Sequence, residues 1–205
     1  MYDLLDLYAE PYDAKRPVVC LDEKPKQLLQ DARTPIPAKP GRIAKVDYEY
    51  KRKGTANIFM AVEPKGGKRF TRVTEHRKKP DFASYVRDMV DQKYSDARVV
   101  RLVVDNLNTH NASSFHENLS KKEARRILNK LEFHYTPKHA SWLNMAETEI
   151  GIMDAQCTGT RIEDKGLLAH EVRAWTGRRN RRRCKINWTF TKQKADEKLG
   201  KYYAE

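Results

Sequence analysis

A chain of 205 residues can bury a core as one domain without disulfide or metal staples. Its three cysteines, Cys20, Cys157 and Cys184, are widely spaced with no CxxC pair, which argues against structural zinc and for a reducing compartment. No apolar run approaches the roughly 18 residues of a membrane span, and the acidic N-terminus lacks the basic start of a signal peptide. We therefore expect a cytoplasmic protein.

The net charge of +13 is the strongest compositional feature, and the basic residues are clustered. Lys65–Lys79 holds seven Lys or Arg against one acid, and Gly177–Lys185 holds six with no acid. Such runs suit a phosphate backbone, because neutralised phosphates release condensed counterions. The alternative is a solvated surface or helix end. The residues we expect to contact a nucleic-acid backbone are Arg178, Arg179, Arg181, Arg182 and Arg183.

The first half of the chain predicts a helix followed mainly by strands. Apolar spacing indicates a helix at Met1–Glu10, and the apolar run Val18–Leu21 indicates a strand ending in Asp22 and Glu23. A proline-rich irregular crossing at Gln30–Ile43 comes next. The remaining expectations are a hairpin of Asp47–Arg52 and Thr55–Val62 turning at Lys53-Gly54, a turn at Pro64–Gly67, a strand at Arg69–Glu75 and a helix at Asp81–Tyr94.

The second half alternates strands with helices. We expect strands at Arg98–Asp105 and Leu131–Thr136, and helices at Ser113–Leu119, Lys121–Lys130, Asn144–Cys157 and Gly166–Gly177. The pattern predicts an α/β fold with a mixed sheet, three antiparallel strands followed by parallel ones, and helices on both faces. We expect one domain over residues 1–205, with a lead-in helix in 1–16 and a basic C-terminal extension in 178–205 anchored by Trp188 and Phe190.

Acidic residues follow two of the buried strands. Asp105 ends the apolar run Val99–Val104, and a ligand site in an open α/β sheet lies at this carboxyl edge. Asp22 and Glu23 end the first strand in the same way. They face opposite sides, so only one of them can share a site with Asp105. Taken alone, Asp105 is better explained as a turn residue than as a catalytic group.

A third acid stands at the start of a helix. Glu147 follows Asn144 by three residues, which is the spacing of a capping box as well as that of a site carboxylate. The rival acid Glu149 lies about 200° farther round the helix, so the two cannot serve one site.

Four stretches in order resemble the catalytic domain of DDE-type transposases with the RNase H-like fold. They are VVCLDE with Asp22, VVDNLNTH with Asp105, TPKHASWLNMAE with Glu147, and INWTF at Ile186–Phe190. The nearest resemblance is to the bacterial insertion-sequence branch, group six-thirty, of the mariner-like superfamily. The chain carries Trp142 and Met145 where eukaryotic mariner-like relatives have prolines, and its spacing from Asp105 to Glu147 is longer.

The resemblance implies metal-dependent DNA cleavage and strand transfer without a covalent protein intermediate. Asp22 is expected to bridge two Mg²⁺ or Mn²⁺ ions, with Asp105 on one and Glu147 on the other. Oxygen-only ligands suit these ions, which lie about 3.5–4 Å apart in two-metal sites. Without metal, each carboxylate should disfavour the ionised form of its neighbours.

Further residues are candidates for DNA contact. His110 could orient a phosphate or a carboxylate, or serve only the structure. Lys138, His139 and Trp142 precede Glu147 and could touch DNA, although Trp142 would equally serve as a core plug. The expected partner is double-stranded DNA, both transposon ends and target. We expect a nucleoid-associated protein that does not bind membranes, and a homodimer is possible.

The resemblance leaves two alternatives and one question of completeness. A catalytically inactive basic DNA-binding protein of the same fold fits the sequence. A two-carboxylate glycosidase fits less well, because the aromatic content is only 9% and the charge is strongly positive. A full transposase of this kind has a helix-turn-helix region before the first acid. The chain has no room for one, so we expect a catalytic fragment, a second reading frame or a decayed copy.

Overall fold

Five strands form one mixed sheet in the computed structural model, which describes residues 1–203 and side chains as far as Lys198. The spatial order is β3-β2-β1-β4-β5, where the strands are β1 Val18–Asp31, β2 Tyr50–Glu63, β3 Lys68–Thr74, β4 Val100–Val104 and β5 Leu131–Tyr135. Strands β1 to β3 are antiparallel, and β4 and β5 run parallel to β1. The expected order of three antiparallel strands followed by parallel strands is confirmed.

Helices cover both faces of this sheet, as expected. Within the described part of the chain they are α1 Tyr2–Ala9, α2 Lys79–Lys93, α3 Ala112–Asn118, α4 Lys121–Leu128, α5 Met145–Met153, α6 Lys165–Arg181 and α7 Lys192–Tyr203. Residues of α2, α3 and α4 pack with Val19 and Leu21 on one face. Residues of α1 and α5 pack with Cys20 on the other face, where α6 covers β1 and β2.

The first two strands are longer than the sequence pattern indicated. β1 continues past Asp22 to Asp31, because it pairs with β2 along its length. The hairpin expected at Lys53-Gly54 is wrong, since β2 is one strand through these residues. Gly54, with φ of 101°, instead lies where the register shifts between Gln27 and Leu29. Only glycine enters this left-handed region easily, so the residue that suggested a turn allows a β-bulge.

The C-terminal region is more helical than expected. α6 extends to Arg181, so the boundary expected at residue 178 falls inside a helix. Helix α7 was not expected, while Trp188 and Phe190 pack against the α1 cluster as the sequence indicated. Ala204 and Glu205, the end of the expected extension, lie outside the described residues. No helix in the described range is both long and apolar enough to cross a membrane.

Candidate active site

Asp22 and Asp105 are brought together by the pairing of β1 with β4. The parallel register aligns Val18 with Arg101 and Cys20 with Val103. Continuing this register by two residues brings Asp105, just past the end of β4, level with Asp22. Because side chains alternate along a strand, both acids belong to the face of Cys20, which α1 and α5 cover.

Glu147 reaches the same face from the first turn of α5. The helix is capped by Asn144, whose side-chain oxygen accepts from the Ala146 N–H at 3.1 Å. The amide nitrogen of Asn144 donates to the Leu21 carbonyl at 2.8 Å. One side chain therefore starts the helix and fixes it beside Asp22. Asn144 is confirmed as the cap, but its side chain accepts from Ala146 and no capping-box bond joins it to Glu147 among the described residues, so Glu147 is exposed and free for another role.

Repulsion among the acids is visible at Asp22. Burial raises the pKa of this carboxyl, the charges of Glu23, Asp105 and Glu147 raise it further, and the net value is about 7. The N–H of Glu23, which donates to Asp22 Oδ1 at 2.8 Å, offsets only part of the rise. Asp105 and Glu147 therefore lie near enough for their charges to raise the pKa of Asp22, as expected from the sequence.

Asp105 departs from that expectation. Burial raises the pKa of this carboxyl, but the hydrogen bond and charge of His110 and the N–H of Leu107 lower it by more, and the net shift is downward. The expectation that each carboxylate would be disfavoured by its neighbours is therefore wrong at Asp105, because a histidine partner compensates the repulsion.

His110 lies between two carboxylates and is fully buried. Its Nδ1 is 2.6 Å from Asp105 Oδ1 and its Nε2 is 2.9 Å from Glu23 Oε1. Burial lowers the pKa of the ring, but the two carboxylates raise it by more, to about 9. A ring with no exposed surface cannot touch DNA in this arrangement, so that prediction for His110 is wrong. The alternative of a carboxylate partner agrees with the geometry.

The sequence predicts that only one of Asp22 and Glu23 shares a site with Asp105. Glu23 does face the opposite side, among the residues packed under α2, yet His110 connects it to Asp105 beyond the end of β4. Sequence analysis missed this connection, because no local pattern shows which buried carboxylate a distant histidine meets.

Glu149, the rival acid, belongs to a different cluster. Its side chain is fully buried, and its two oxygens accept hydrogen bonds from Arg69 at 2.9 and 2.8 Å and from Arg179 at 2.8 and 3.1 Å. It therefore links α5 to β3 and α6. Arg179 is only 19% exposed and pairs with Glu149, so the DNA contact predicted for it stays a prediction that this ion pair makes less favourable.

The other basic residues of the run remain on the surface. Their backbone passes the β2–β3 turn, where Ile186 N–H donates to the Pro64 carbonyl at 3.0 Å. Met60 pairs with Asp22, and the four residues from Met60 to Pro64 span about 13 Å of strand. The run thus lies to one side of the acids. The exposed members are Arg178, Arg181, Arg182 and Arg183.

The loop between β5 and α5 carries the remaining candidates. Lys138 and His139 are exposed. Trp142 is 43% exposed, stacks on Trp188 at 6.5 Å and meets Phe190 edge-on at 5.2 Å. The alternative of a core plug is therefore wrong for Trp142, which belongs to a surface aromatic cluster.

The donor set fits a hard divalent cation. Asp22, Asp105 and Glu147 offer only carboxylate oxygens, the ligands that Mg²⁺ and Mn²⁺ prefer. A cation would relieve the repulsion recorded in the raised pKa of Asp22. Among the described residues, no group of three His, Cys, Asp or Glu side chains has the arrangement that would hold a metal ion.

Comparison with known proteins identifies a family and a shared fold. The sequence matches the model of the DDE superfamily endonucleases over residues 17–168, while no curated protein matches. The fold is similar to the crystal structure of the Mos1 mariner paired end complex with Mn, with a TM-score of 0.53 and 16% identity over 89% of this chain and 55% of that one. The Mos1 Strand Transfer Complex gives a TM-score of 0.49 and 15% identity over 85% and 50%.

The first likeness shows that the expected RNase H-like fold is shared, and this chain spans about half the length of the Mos1 chain. Because the family match covers most of the sequence, including all three acids, the chain belongs to the DDE superfamily of endonucleases.

Proposed function

We propose that this chain is the catalytic part of a DNA transposase that cuts transposon ends and transfers them into target DNA. The observation that carries the proposal is the meeting of three acids from distant parts of the sequence, brought together by the register of β1 with β4 and by the contact of Asn144 with the Leu21 carbonyl. Membership of the endonuclease superfamily and the fold shared with a paired end complex containing Mn support it. The four motifs favour the bacterial group six-thirty.

Each acid has a distinct role in this proposal. Asp22, whose pKa responds to both other acids, would be a ligand shared by two divalent ions, with Asp105 holding one ion and Glu147 the other. Bound Mg²⁺ or Mn²⁺ would clamp the attacking and leaving oxygens of an in-line phosphoryl displacement. Asn144 keeps Glu147 beside Asp22, because it joins the start of α5 to the Leu21 carbonyl.

Double-stranded DNA is the proposed partner, bound along the face that carries α5 and α6. This face presents the three acids and the four exposed arginines of the C-terminal run. Lys138, His139 and Trp142 border it from the β5–α5 loop. Phosphate contacts of this kind position DNA without reading its sequence.

The test is nicking of supercoiled DNA in millimolar Mg²⁺, with EDTA as the metal-free control. We expect nicking by the wild type that EDTA abolishes. Asp22→Ala, Asp105→Ala and Glu147→Ala should each reduce it more than about a hundredfold, beyond the usual loss from residues that only support a ligand. Glu163→Ala, a change at an exposed acid outside the site, is the matched control and should leave nicking intact.

DNA affinity measured in EDTA completes the test. The three acid variants should bind DNA as tightly as the wild type. DNA binding without metal-dependent nicking would replace this proposal with the inactive DNA-binding protein.

A further inference from the structure

We infer that Glu23 and His110 are positioning residues that hold one oxygen of Asp105 and present the other to the site, an inference that rests on the proposed function. His110 Nδ1 contacts Asp105 Oδ1 at 2.6 Å, and the Leu107 N–H donates to the same oxygen at 3.2 Å. The described residues make no hydrogen bond to Oδ2. The protein thus selects which oxygen of Asp105 faces the site.

The histidine is itself fixed at several points. Its Nε2 lies 2.9 Å from Glu23 Oε1, and its ring packs on Phe82 with centroids 4.7 Å apart. Its backbone N–H donates to the Leu107 carbonyl at 2.9 Å, and its carbonyl accepts from the Tyr135 hydroxyl at 2.9 Å. A ring held at both nitrogens and in its backbone cannot rotate away, so the Asp105 carboxylate keeps one orientation.

Stability does not explain why the chain keeps this pair. Glu23 Oε2 is buried with no hydrogen-bond partner, which costs free energy. Apolar residues of similar volume in place of a buried charged pair are often neutral or stabilising. Among the three acids of the site, Asp105 is the one that a described side chain of this pair contacts by a hydrogen bond, which points to positioning as the role.

The decisive variant replaces both members, Glu23→Leu with His110→Leu, so that neither is left buried without its partner. We expect it to melt close to the wild type in EDTA, with a small loss because Asp105 gives up the hydrogen bond and the charge of His110. It should need about 10–100-fold more Mn²⁺ for a half-maximal thermal shift, the usual loss when the partner of a metal ligand is removed. Free Mn²⁺ measured by electron paramagnetic resonance gives a second reading that does not depend on catalysis.

Two further variants sharpen the result. His134→Leu is the matched control, because His134 also lies between two carboxylates, Asp3 at 3.2 Å and Glu132 at 2.9 Å, but makes no hydrogen bond to the three acids among the described residues. It should leave the Mn²⁺ response unchanged. His110→Asn keeps a donor near the position of Nδ1 and should recover most of the Mn²⁺ affinity that the double variant loses.

The outcomes separate the inference from the function on which it rests. A double variant with the Mn²⁺ response of the wild type overturns the inference alone. So does a double variant that is strongly destabilised in EDTA, because the pair would then serve folding. A wild type that neither binds Mn²⁺ nor nicks DNA overturns the proposed function and the inference together.

Discussion

Two buried glutamates, each close in sequence to an acid of the site, are treated very differently by this fold. Glu149 has both oxygens hydrogen-bonded by two guanidinium groups. Glu23 has one oxygen on His110 and the other buried without a partner. A fully satisfied buried charge serves as a structural link, whereas a partly satisfied one is kept at a cost that some other role must explain.

The Glu149 cluster supports the site from a distance. It ties α5 to Arg69 on β3 and to Arg179 on α6, so the helix that carries Glu147 is fixed on its far side. On its near side Asn144 fixes the same helix to β1. The two attachments together determine where Glu147 stands.

Loss of the Glu149 charge should give the largest change in stability. Glu149→Gln leaves two guanidinium groups without their counter-charge, one of them fully buried, and we expect a loss of about 3–5 kcal/mol in the free energy of unfolding. Denaturant titration at neutral pH measures it. Glu147→Gln, at an exposed site two residues away, should change stability little.

The pH dependence of this loss has a definite sign. Burial alone raises the pKa of Glu149, but Arg69 and Arg179 lower it by more, so the net value is below its usual 4.5. The stabilisation is therefore present above pH 4.5 and is lost as the pH falls through the lowered pKa. The difference in unfolding free energy between the wild type and Glu149→Gln should become smaller in acid. A difference that becomes larger in acid would show that the ion pairs of Glu149 with Arg69 and Arg179 are not its source.

In EDTA, removing the charge of Asp22 and removing the charge of Asp105 should shift the melting temperature in opposite directions. The pKa of Asp22 is raised from 3.8 to about 7, so its contribution to stability is lost as the pH rises through 7. Asp22→Asn should therefore melt higher than the wild type at pH 8, and this gain should vanish in acid. Asp105→Asn should melt lower, because it removes the charge that pairs with His110.

Added Mg²⁺ should narrow the difference in melting temperature between the wild type and Asp22→Asn. A ligand that binds only the folded state stabilises it, by about 2.7 kcal/mol at a hundredfold excess over Kd. The wild type should gain more than Asp22→Asn, as thermal melts of both proteins with and without Mg²⁺ will show. Equal gains in the two would argue against Asp22 as a ligand.

The smallest effect per residue is expected for the surface arginines. Replacing Arg178, Arg181, Arg182 and Arg183 by Gln should reduce the slope of log K against log salt by about 0.9 for each lost phosphate contact. The control is an equal change of charge on α4, which covers the opposite face of the sheet. Its exposed basic residues are Lys121, Lys122, Arg125 and Arg126. Equal effects of the two sets would mean that DNA does not prefer the α6 face.

Features that depend only on neighbouring residues could be predicted from the sequence. The apolar run before Asp105, the cap at Asn144 and the alternation that separates Asp22 from Glu23 are local signals, and the structure agrees with them. Most strands and helices followed from the same periodicities, although the hairpin at Lys53-Gly54 was wrong and α7 was not expected. Four motifs together indicated the superfamily.

The partners of the buried charges and the lengths of the first two strands could not be predicted from the sequence, because they depend on the assembled fold. His110 meets Glu23 across 87 positions of sequence, and Arg69 meets Glu149 across 80. Gly54 became a bulge instead of a turn because β1 extends beside it. These outcomes depend on strand register and on which side chains share a desolvated space, and neither quantity is written in any short stretch of the chain.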